Sequence, residues 1–246
     1  GHYDPDRVRQ PLLRDASNGT FKPITWDEAY QKISDRLSGT GAKKRLFLSG
    51  ETSGALAELS AEFCNVFSCE RATFDLLQPV ALAKASEMTF GIYGIPAYSI
   101  DKAEVVVNFG ADFLETWVSP CEYARDWATT RKSERPARVV QIEPRLSLTG
   151  ANADMWLAAD PGSEIQIALF LLKSALDSGR GANLRDDLRE SARALVAKVS
   201  VDSAASASGV SKEKILLVAN YLLNAKSTLV LAGGAAAASS DPLPLF

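Results

Sequence analysis

Short apolar runs alternate with longer amphipathic stretches along most of the chain. Four runs have the length and composition of buried strands: 45–49 (RLFLS), 104–109, 139–142 and 228–232 (TLVLA). Thr25 and Glu28 form a capping-box pattern at the start of the first amphipathic stretch. Such alternation of strands and helices predicts an α/β fold, with parallel sheets that carry helices on both faces.

Other segments complete the predicted element order. A short strand is expected at 71–74, and residues 1–24, which show no sustained period, are expected to form an extended connector. The small-residue segment SAASASG is interpreted as a linker between the last two helices. Helices are predicted over 55–67, 79–89, 120–132, 185–199 and 211–225.

The stretch 138–169 is the most informative part of the sequence. The apolar run 139–142 leads directly into Glu143-Pro144-Arg145, and because proline cannot continue a sheet ladder, the strand is expected to end there. A polar loop then leads to a short apolar segment at 156–159 and to a helix that starts near Pro161. In open α/β sheets, ligands bind at such carboxyl-terminal strand ends, and a helix N-terminus can hold an anion.

Composition excludes several kinds of protein. The 246 residues carry a formal net charge of −3 without a long basic run, which argues against nucleic acid as a partner. No apolar stretch reaches the roughly 20 residues of a transmembrane helix. The N-terminus lacks a signal pattern, so we expect the chain to be part of a longer polypeptide.

The cysteines do not form a metal-binding pattern. Cys64 and Cys69 are five positions apart and Cys121 is remote, so the chain is expected to hold free thiols and no iron–sulfur cluster. The single histidine, His2, lies near the start of the chain, which makes a histidine-based zinc site or catalytic histidine an unfavourable interpretation.

Two motif regions resemble a known superfamily. The run EPRLSLTGANADMWLAADPGSE is similar to the DPR–Thr–AD–PGTD region of the molybdenum bis-pterin guanine dinucleotide oxidoreductases, the formate dehydrogenase and DMSO reductase type. The stretch 105–125 resembles that family's strand, GxNP loop and helix. The segments GADFLETW and EPRLSLTGANAD are still more similar to the iron–sulfur, molybdopterin-like large subunit of alternative complex III than to the superfamily in general.

The resemblance implies two interleaved Rossmann-like domains, of the kind that forms domains 2 and 3 of these enzymes. Residues 25–69 plus 225–246 would form a first, incomplete α/β domain, and 70–224 an inserted one. The strands at 45–49 and 228–232 would then share a sheet. Iron–sulfur clusters would lie in flanking domains absent from this chain.

The resemblance also implies a set of cofactor-binding residues. Glu143 stands at the Asp of DPR, near a guanosine ribose, and Arg145 at its Arg. Glu164 stands at the Asp of PGTD, which accepts hydrogen bonds from the guanine edge, and Gly110 at the glycine that admits the pyrophosphate. The predicted set for the molybdopterin guanine dinucleotide is completed by three further residues: Asp112, Thr149 and Gly162.

Plain structural roles remain open for the same residues. Glu164 fits a helix cap, Arg145 fits an ion pair with Asp154, and Gly110 fits a tight turn. Asp75 is the only candidate metal ligand, as in respiratory nitrate reductases, but it equally fits a strand-end or capping residue.

Three departures argue for a degenerate cofactor pocket. Asp112 replaces the Asn of GxNP and places a carboxylate where the anionic linker of the dinucleotide would approach. The usual metal ligand of catalytic members, Cys, selenocysteine or Ser, is missing near 75–78, and the family's catalytic histidine has no counterpart.

Two functions are therefore compatible with the resemblance, and a nucleotide-binding module of unrelated purpose is a third alternative, because fold alone does not fix function. In the first, the chain is a domain of a scaffold subunit that holds iron–sulfur and membrane-anchor subunits of a respiratory complex together. In the second, it is a domain of an active molybdenum or tungsten oxidoreductase with Asp75 on the metal. The expected location is the periplasmic or exoplasmic face of the cytoplasmic membrane, with a cytoplasmic location as the alternative.

Overall fold

The computed structural model describes residues 2–38, 45–50, 52–74 and 80–234. The chain divides into two compact units, Gly1–Leu76 and Leu77–Phe246.

The first unit contains a hairpin followed by an α/β segment. Its elements are β1 (Leu12–Arg14), β2 (Phe21–Pro23), α1 (Trp26–Ser38), β3 (Arg45–Ser49), α2 (Gly54–Phe67) and β4 (Cys69–Thr73). The predicted capping box is confirmed, since the Thr25 amide donates to Glu28 at 2.9 Å and the Glu28 amide to the Thr25 hydroxyl at 3.2 Å.

The expected extended connector contains the antiparallel β1–β2 hairpin, which corrects that prediction. Polar side chains close its turn: Asp15 accepts from the amide and hydroxyl of Ser17, and Asn18 accepts from those of Thr20. Turns of this kind are indicated by local side-chain hydrogen bonds of Asp, Asn, Ser and Thr and not by apolar periodicity. The pattern of apolar residues therefore did not reveal the hairpin.

The second unit is built on a four-stranded parallel sheet. Its elements are α3 (Val80–Phe90), a 3-10 helix (Ile100–Lys102), β5 (Val105–Phe109), α4 (Pro120–Arg131), β6 (Arg138–Glu143), α5 (Leu148–Asn152), β7 (Met155–Ala158), α6 (Glu164–Asp177), α7 (Asp186–Val196), α8 (Val201–Ser208), α9 (Lys212–Asn224) and β8 (Thr228–Ala232). The strand order is β7-β6-β5-β8, and every neighbouring pair is parallel.

Helices cover both faces of this sheet, as the alternation of apolar runs predicts. One core joins Val107, Val140 and Ile142 to residues of α6, α8 and α9. The other joins Val106 and Val139 to residues of α3, the 3-10 helix and α4. Because successive strand residues point to opposite faces, the continuous apolar runs of β5 and β6 supply both cores. The Rossmann-like α/β fold class is confirmed.

The partner of the last strand differs from the expectation. Residues 228–232 pair with β5, so that Val230 lies opposite Val107, whereas 45–49 pair with β4 in a separate two-stranded sheet. The prediction that 45–49 and 228–232 share a sheet is therefore wrong, and β4 belongs with the first unit. In β8, Leu231 is 1% exposed and packs in the second unit's core, which explains its placement there. Any return of the chain after residue 234 lies outside the described residues.

Two segments expected to be irregular are helical. The SAASASG segment forms most of α8. A capping box at Ser200 and Ser203 starts this helix, and Gly209, with a φ of 69°, ends it. Ala204 is fully buried there because small residues let α8 pack closely against α6 and α9. The polar loop after β6 contains α5, which begins after Ser147. Neither segment has the length or apolar stripe that reveals a helix from sequence.

Among the described residues, no helix combines the length and the apolar character that crossing a bilayer requires.

Candidate functional site

The carboxyl ends of β5 and β6 open into loops that are hydrogen-bonded to each other. Asp112, three residues after β5, accepts two hydrogen bonds from Thr149 at the start of α5. Since parallel strands end at one edge of the sheet, the sequence predicts that these loops share a crevice. The contact between Asp112 and Thr149 brings the two loops together at that edge of the sheet, and we call the region between them the crevice.

Asp112 is a buried carboxylate with one satisfied oxygen. Its side chain is 5% exposed, and Oδ1 accepts from the Thr149 amide at 3.0 Å and the Thr149 hydroxyl at 2.6 Å. No residue of the described chain donates to Oδ2, which is buried. The Asp112 carbonyl accepts from the amides of 115–117, so the loop folds back on this residue.

Glu143, at the last position of β6, is also buried, and each of its carboxylate oxygens accepts a hydrogen bond. Oε1 accepts from the Ser147 amide and Oε2 from the Gln141 side chain, each at 2.8 Å. Its backbone carbonyl accepts from the indole nitrogen of Trp156 at 3.2 Å. Both carboxylate oxygens of the residue expected to hold ribose hydroxyls are therefore engaged within the chain.

The first turn of α5 is capped by these two carboxylates and by a local hydroxyl. Ser147 donates its amide to Glu143, Thr149 donates its amide to Asp112, and Gly150 donates its amide to the Ser147 hydroxyl at 3.0 Å. Free amides at a helix start are what usually attracts an anion. Here the protein's own acceptors take them.

Gly110 has the positive φ of 74° that a side chain disfavours, and its loop is a tight turn. Asn108 closes the turn by accepting from the Ala111 amide at 3.0 Å and donating to the Ala111 carbonyl at 2.6 Å. The loop after β8 packs against it, since a Cβ on Gly234 would lie 2.0 Å from the Gly110 carbonyl oxygen. These contacts support the turn role of Gly110, and its approach to a pyrophosphate stays a prediction.

Glu164 begins α6 at the same edge of the sheet, after β7. Its side chain is 2% exposed, yet no described residue donates a hydrogen bond to it. The alternative that it caps its helix is wrong, because the N-cap is Ser163, whose hydroxyl bonds the Asp160 carbonyl at 2.6 Å. Gly162 is exposed with a φ of 81°.

Arg145 is exposed and does not pair with Asp154, so that alternative is also wrong. Asp154 instead accepts from Arg131 at 3.1 and 3.2 Å and from the Val139 amide at 2.7 Å. Burial raises the pKa of Asp154, but the bonds from Arg131 and Val139 outweigh it and hold the pKa below its ordinary value. Asp154 thus fastens α4 to the start of β6, at the edge of the sheet opposite the crevice.

The candidate metal ligand, Asp75, lies outside the described residues. Within the described ranges, no group of three or more His, Cys, Asp or Glu side chains could hold a metal ion. The three cysteines are free thiols, with Cys64 buried and Cys121 exposed.

Sequence reasoning missed three residues of the crevice region. Gln141 and Trp117 are buried, and neither the Gln141 amide oxygen nor the Trp117 indole nitrogen finds a partner in the part of the chain that the structure describes. Ser147 is the third, through its bonds to Glu143 and Gly150. A polar Gln141 inside an apolar strand is the one signal that was available, since buried polar groups are usually bonded.

The arrangement does not fit the anionic linker of a dinucleotide. Asp112 brings a buried negative charge beside Gly110, and the Thr149 and Gly150 amides at the start of α5 already have acceptors. Like charges a few ångströms apart repel by on the order of 1 kcal/mol or more. The crevice as it stands offers acceptors to hydrogen-bond donors and few free donors to an anion.

Comparison with known proteins identifies relatives of one kind. The model of the molybdopterin oxidoreductase family matches residues 7–227. The molybdopterin-binding-like subunit of menaquinone reductase from Nitratidesulfovibrio vulgaris is 29% identical over 249 residues, covering 99% of this chain and 35% of that protein. The molybdopterin-containing subunit ArrA of arsenate respiratory reductase from Shewanella sp. is 27% identical, covering 72% of this chain and 22% of that protein.

A solved structure shares the fold. Acetylene hydratase from Pelobacter acetylenicus superposes with a TM-score of 0.67 at 19% identity, covering 93% of this chain and 32% of the other. The chain thus spans about a third or less of the length of these relatives.

Proposed function

The chain belongs to the molybdopterin oxidoreductase family, and on that premise we propose that it is a scaffold domain of a respiratory electron-transfer complex, with a degenerate cofactor crevice. Its relatives include molybdopterin-binding subunits of respiratory reductases, which supports the respiratory setting. The relative that covers 99% of the chain carries the description molybdopterin-binding-like, which supports a subunit of this kind.

One observation carries the proposal: Asp112 and Glu143 cap the start of α5 from both sides of the crevice. In an open α/β sheet, that place suits the phosphates of a dinucleotide. Here it holds two carboxylates, whose charge disfavours phosphate and whose bonds use the amides of Ser147 and Thr149. The crevice then serves to fix the loops after β5 and β6, and the domain contributes a rigid surface to the complex.

The partners of such a domain would be iron–sulfur domains or subunits and a membrane-anchor subunit. The matched relatives are subunits by description and extend well beyond the matched part, which supports an assembly larger than this chain. The assembly would lie on the periplasmic or exoplasmic face of the cytoplasmic membrane. Fractionation of the source cells, with the protein traced by an antibody, tests this location, and recovery in the cytosolic fraction would contradict it.

Metal and pterin analysis of the intact protein purified from its source tests the scaffold function. We expect no molybdenum or tungsten above background and no pterin after oxidative release. One equivalent of metal together with pterin per polypeptide would overturn the scaffold function.

Glu164 favours a second candidate, an active molybdenum or tungsten oxidoreductase that binds the guanine dinucleotide form of the cofactor. Its carboxylate has no donor from the described chain, and hydrogen bonds from a guanine edge would give it partners. Asp75 would then be the metal ligand. Under this candidate, Asp75→Ala would lower the metal content of the purified protein, whereas the scaffold function predicts no change.

A further inference from the structure

A second pocket lies at the opposite edge of the four-stranded sheet, where the strands begin. It has a volume of about 370 Å³ and is formed by the starts of β5 and β6, the loop before β6, and the last turns of α9. This volume lies in the range of small-molecule sites. The crevice at the carboxyl ends of the strands contributes no residue to it.

Two arginines that lie within ion-pair distance of no described carboxylate line this pocket, although the charge of Arg138 helps to lower the pKa of the nearby Asp154. The guanidinium carbon of Arg138 lies 4.1 Å from the ring centre of Tyr221, a cation–π contact. Neither Arg138 nor Arg135 makes an ion pair with any described residue, in contrast to Arg131, which is bonded to Asp154. A guanidinium that stacks through its face keeps the N–H donors of its edge for another partner.

One carboxylate among the described lining residues, that of Glu104, brings negative charge to the pocket. Its Oε2 already accepts from the Lys226 amide at 2.8 Å. The carbonyls of Leu223 and Ala225 at the end of α9 accept from Arg180 at 2.7 and 3.0 Å. Their bonds to Arg180 reduce the partial negative charge that a helix C-terminus would otherwise present.

Asn220 adds a neutral donor to the same wall. Its amide oxygen accepts from the Asn224 side chain at 2.6 Å. The amide nitrogen of Asn220 has no partner in the described part of the chain. An oxyanion in the pocket would meet two guanidinium edges and an amide donor, the combination that recognises carboxylate and phosphate groups.

We propose that this pocket, defined by Arg135, Arg138 and Asn220 around the Tyr221 ring, binds the oxyanion group of a small molecule. The carboxylate and phosphate classes share the chemistry that the arginines recognise. The inference is independent of the proposed function, because it uses neither the crevice nor its cofactor.

Isothermal titration calorimetry of the intact protein with inorganic phosphate and, separately, with succinate tests the proposal. We expect saturable one-site binding of at least one probe, and the preferred probe identifies the class. Arg135→Gln and Arg138→Gln should each weaken binding about tenfold or more, as expected when a charge-assisted bond is lost. Arg135→Gln lies on an exposed loop and leaves the Tyr221 contact in place, so folding is not at risk.

Arg193→Gln, an exposed arginine on α7, is the matched control and should bind like the unmodified protein. The proposal is overturned if neither probe binds saturably. It is equally overturned if Arg193→Gln weakens binding as much as the pocket variants, which would indicate non-specific attraction.

Discussion

Thr149 gives both of its hydrogen-bond donors to one oxygen of Asp112, with the amide at 3.0 Å and the hydroxyl at 2.6 Å from Oδ1. The two residues are 37 positions apart and follow neighbouring strands. The Thr149 hydroxyl also accepts from the Leu114 amide at 3.0 Å, so one side chain ties the loop after β5 to the start of α5 at two points. Rigid loops in this crevice are what a scaffold role requires.

Thr149→Val should destabilise the protein by about 1–3 kcal/mol, because a buried carboxylate loses a donor and a buried amide loses its acceptor while the volume is kept. Urea unfolding followed by circular dichroism measures the change. Thr129→Val, at an exposed position of α4, is the control and should stay within about 0.5 kcal/mol of the unmodified protein. Equal effects for the two variants would mean that the Asp112–Thr149 contact contributes little.

Gly150→Ala should destabilise by about 1–3 kcal/mol through overpacking. The added Cβ would lie 2.5 Å from Oε1 of Glu143 and 3.2 Å from Leu146, so the Glu143 carboxylate would have to leave its bond to Ser147. Gly94→Ala is the matched control, because nothing lies within 4 Å of its added Cβ. Thermal unfolding compares the two, and an unchanged Gly150→Ala protein would contradict the close packing of Glu143.

Asp154 should make stability depend on acid pH. Its folded pKa is held below the ordinary value by Arg131 and the Val139 amide, which outweigh its burial. A depressed folded pKa contributes stability above the unfolded pKa, and this contribution is lost as pH falls below about 4. Arg131→Gln should therefore unfold more easily at neutral pH and show a shallower loss of stability in acid. A loss in acid as steep as that of the unmodified protein would assign the acid sensitivity to other groups.

The sequence carries enough information for the strands and for one shared crevice. Pro144 ends β6 at Glu143 as expected, and the apolar runs 104–109 and 139–142 are neighbouring buried strands. The partners of the polar residues are long-range and have no local signature. Nothing near Asp112 in sequence indicates Thr149, and nothing near Asp154 indicates Arg131.

The sheet to which β8 belongs could not be predicted from the sequence either. An apolar run such as 228–232 fits the edge of any parallel sheet, and the choice among sheets depends on packing of Leu231 and on the close contact of Gly234 with Gly110. The small-residue α8 was missed for a related reason, since Ala204 becomes a core residue only through its neighbours α6 and α9.

The central claim is that the protein's own carboxylates close the crevice to a guanine-tipped dinucleotide. Titration with guanosine diphosphate, which carries the guanine, ribose and pyrophosphate of that ligand, tests it most directly when it is done on the Arg138→Gln protein, in which the proposed oxyanion pocket is weakened, with Asp112→Asn compared in the same background. The account predicts no saturable binding up to about 1 mM, where binding free energy would be only about −4 kcal/mol, and measurable binding by Asp112→Asn, which removes the opposing charge. Micromolar binding by the Arg138→Gln protein would contradict the account.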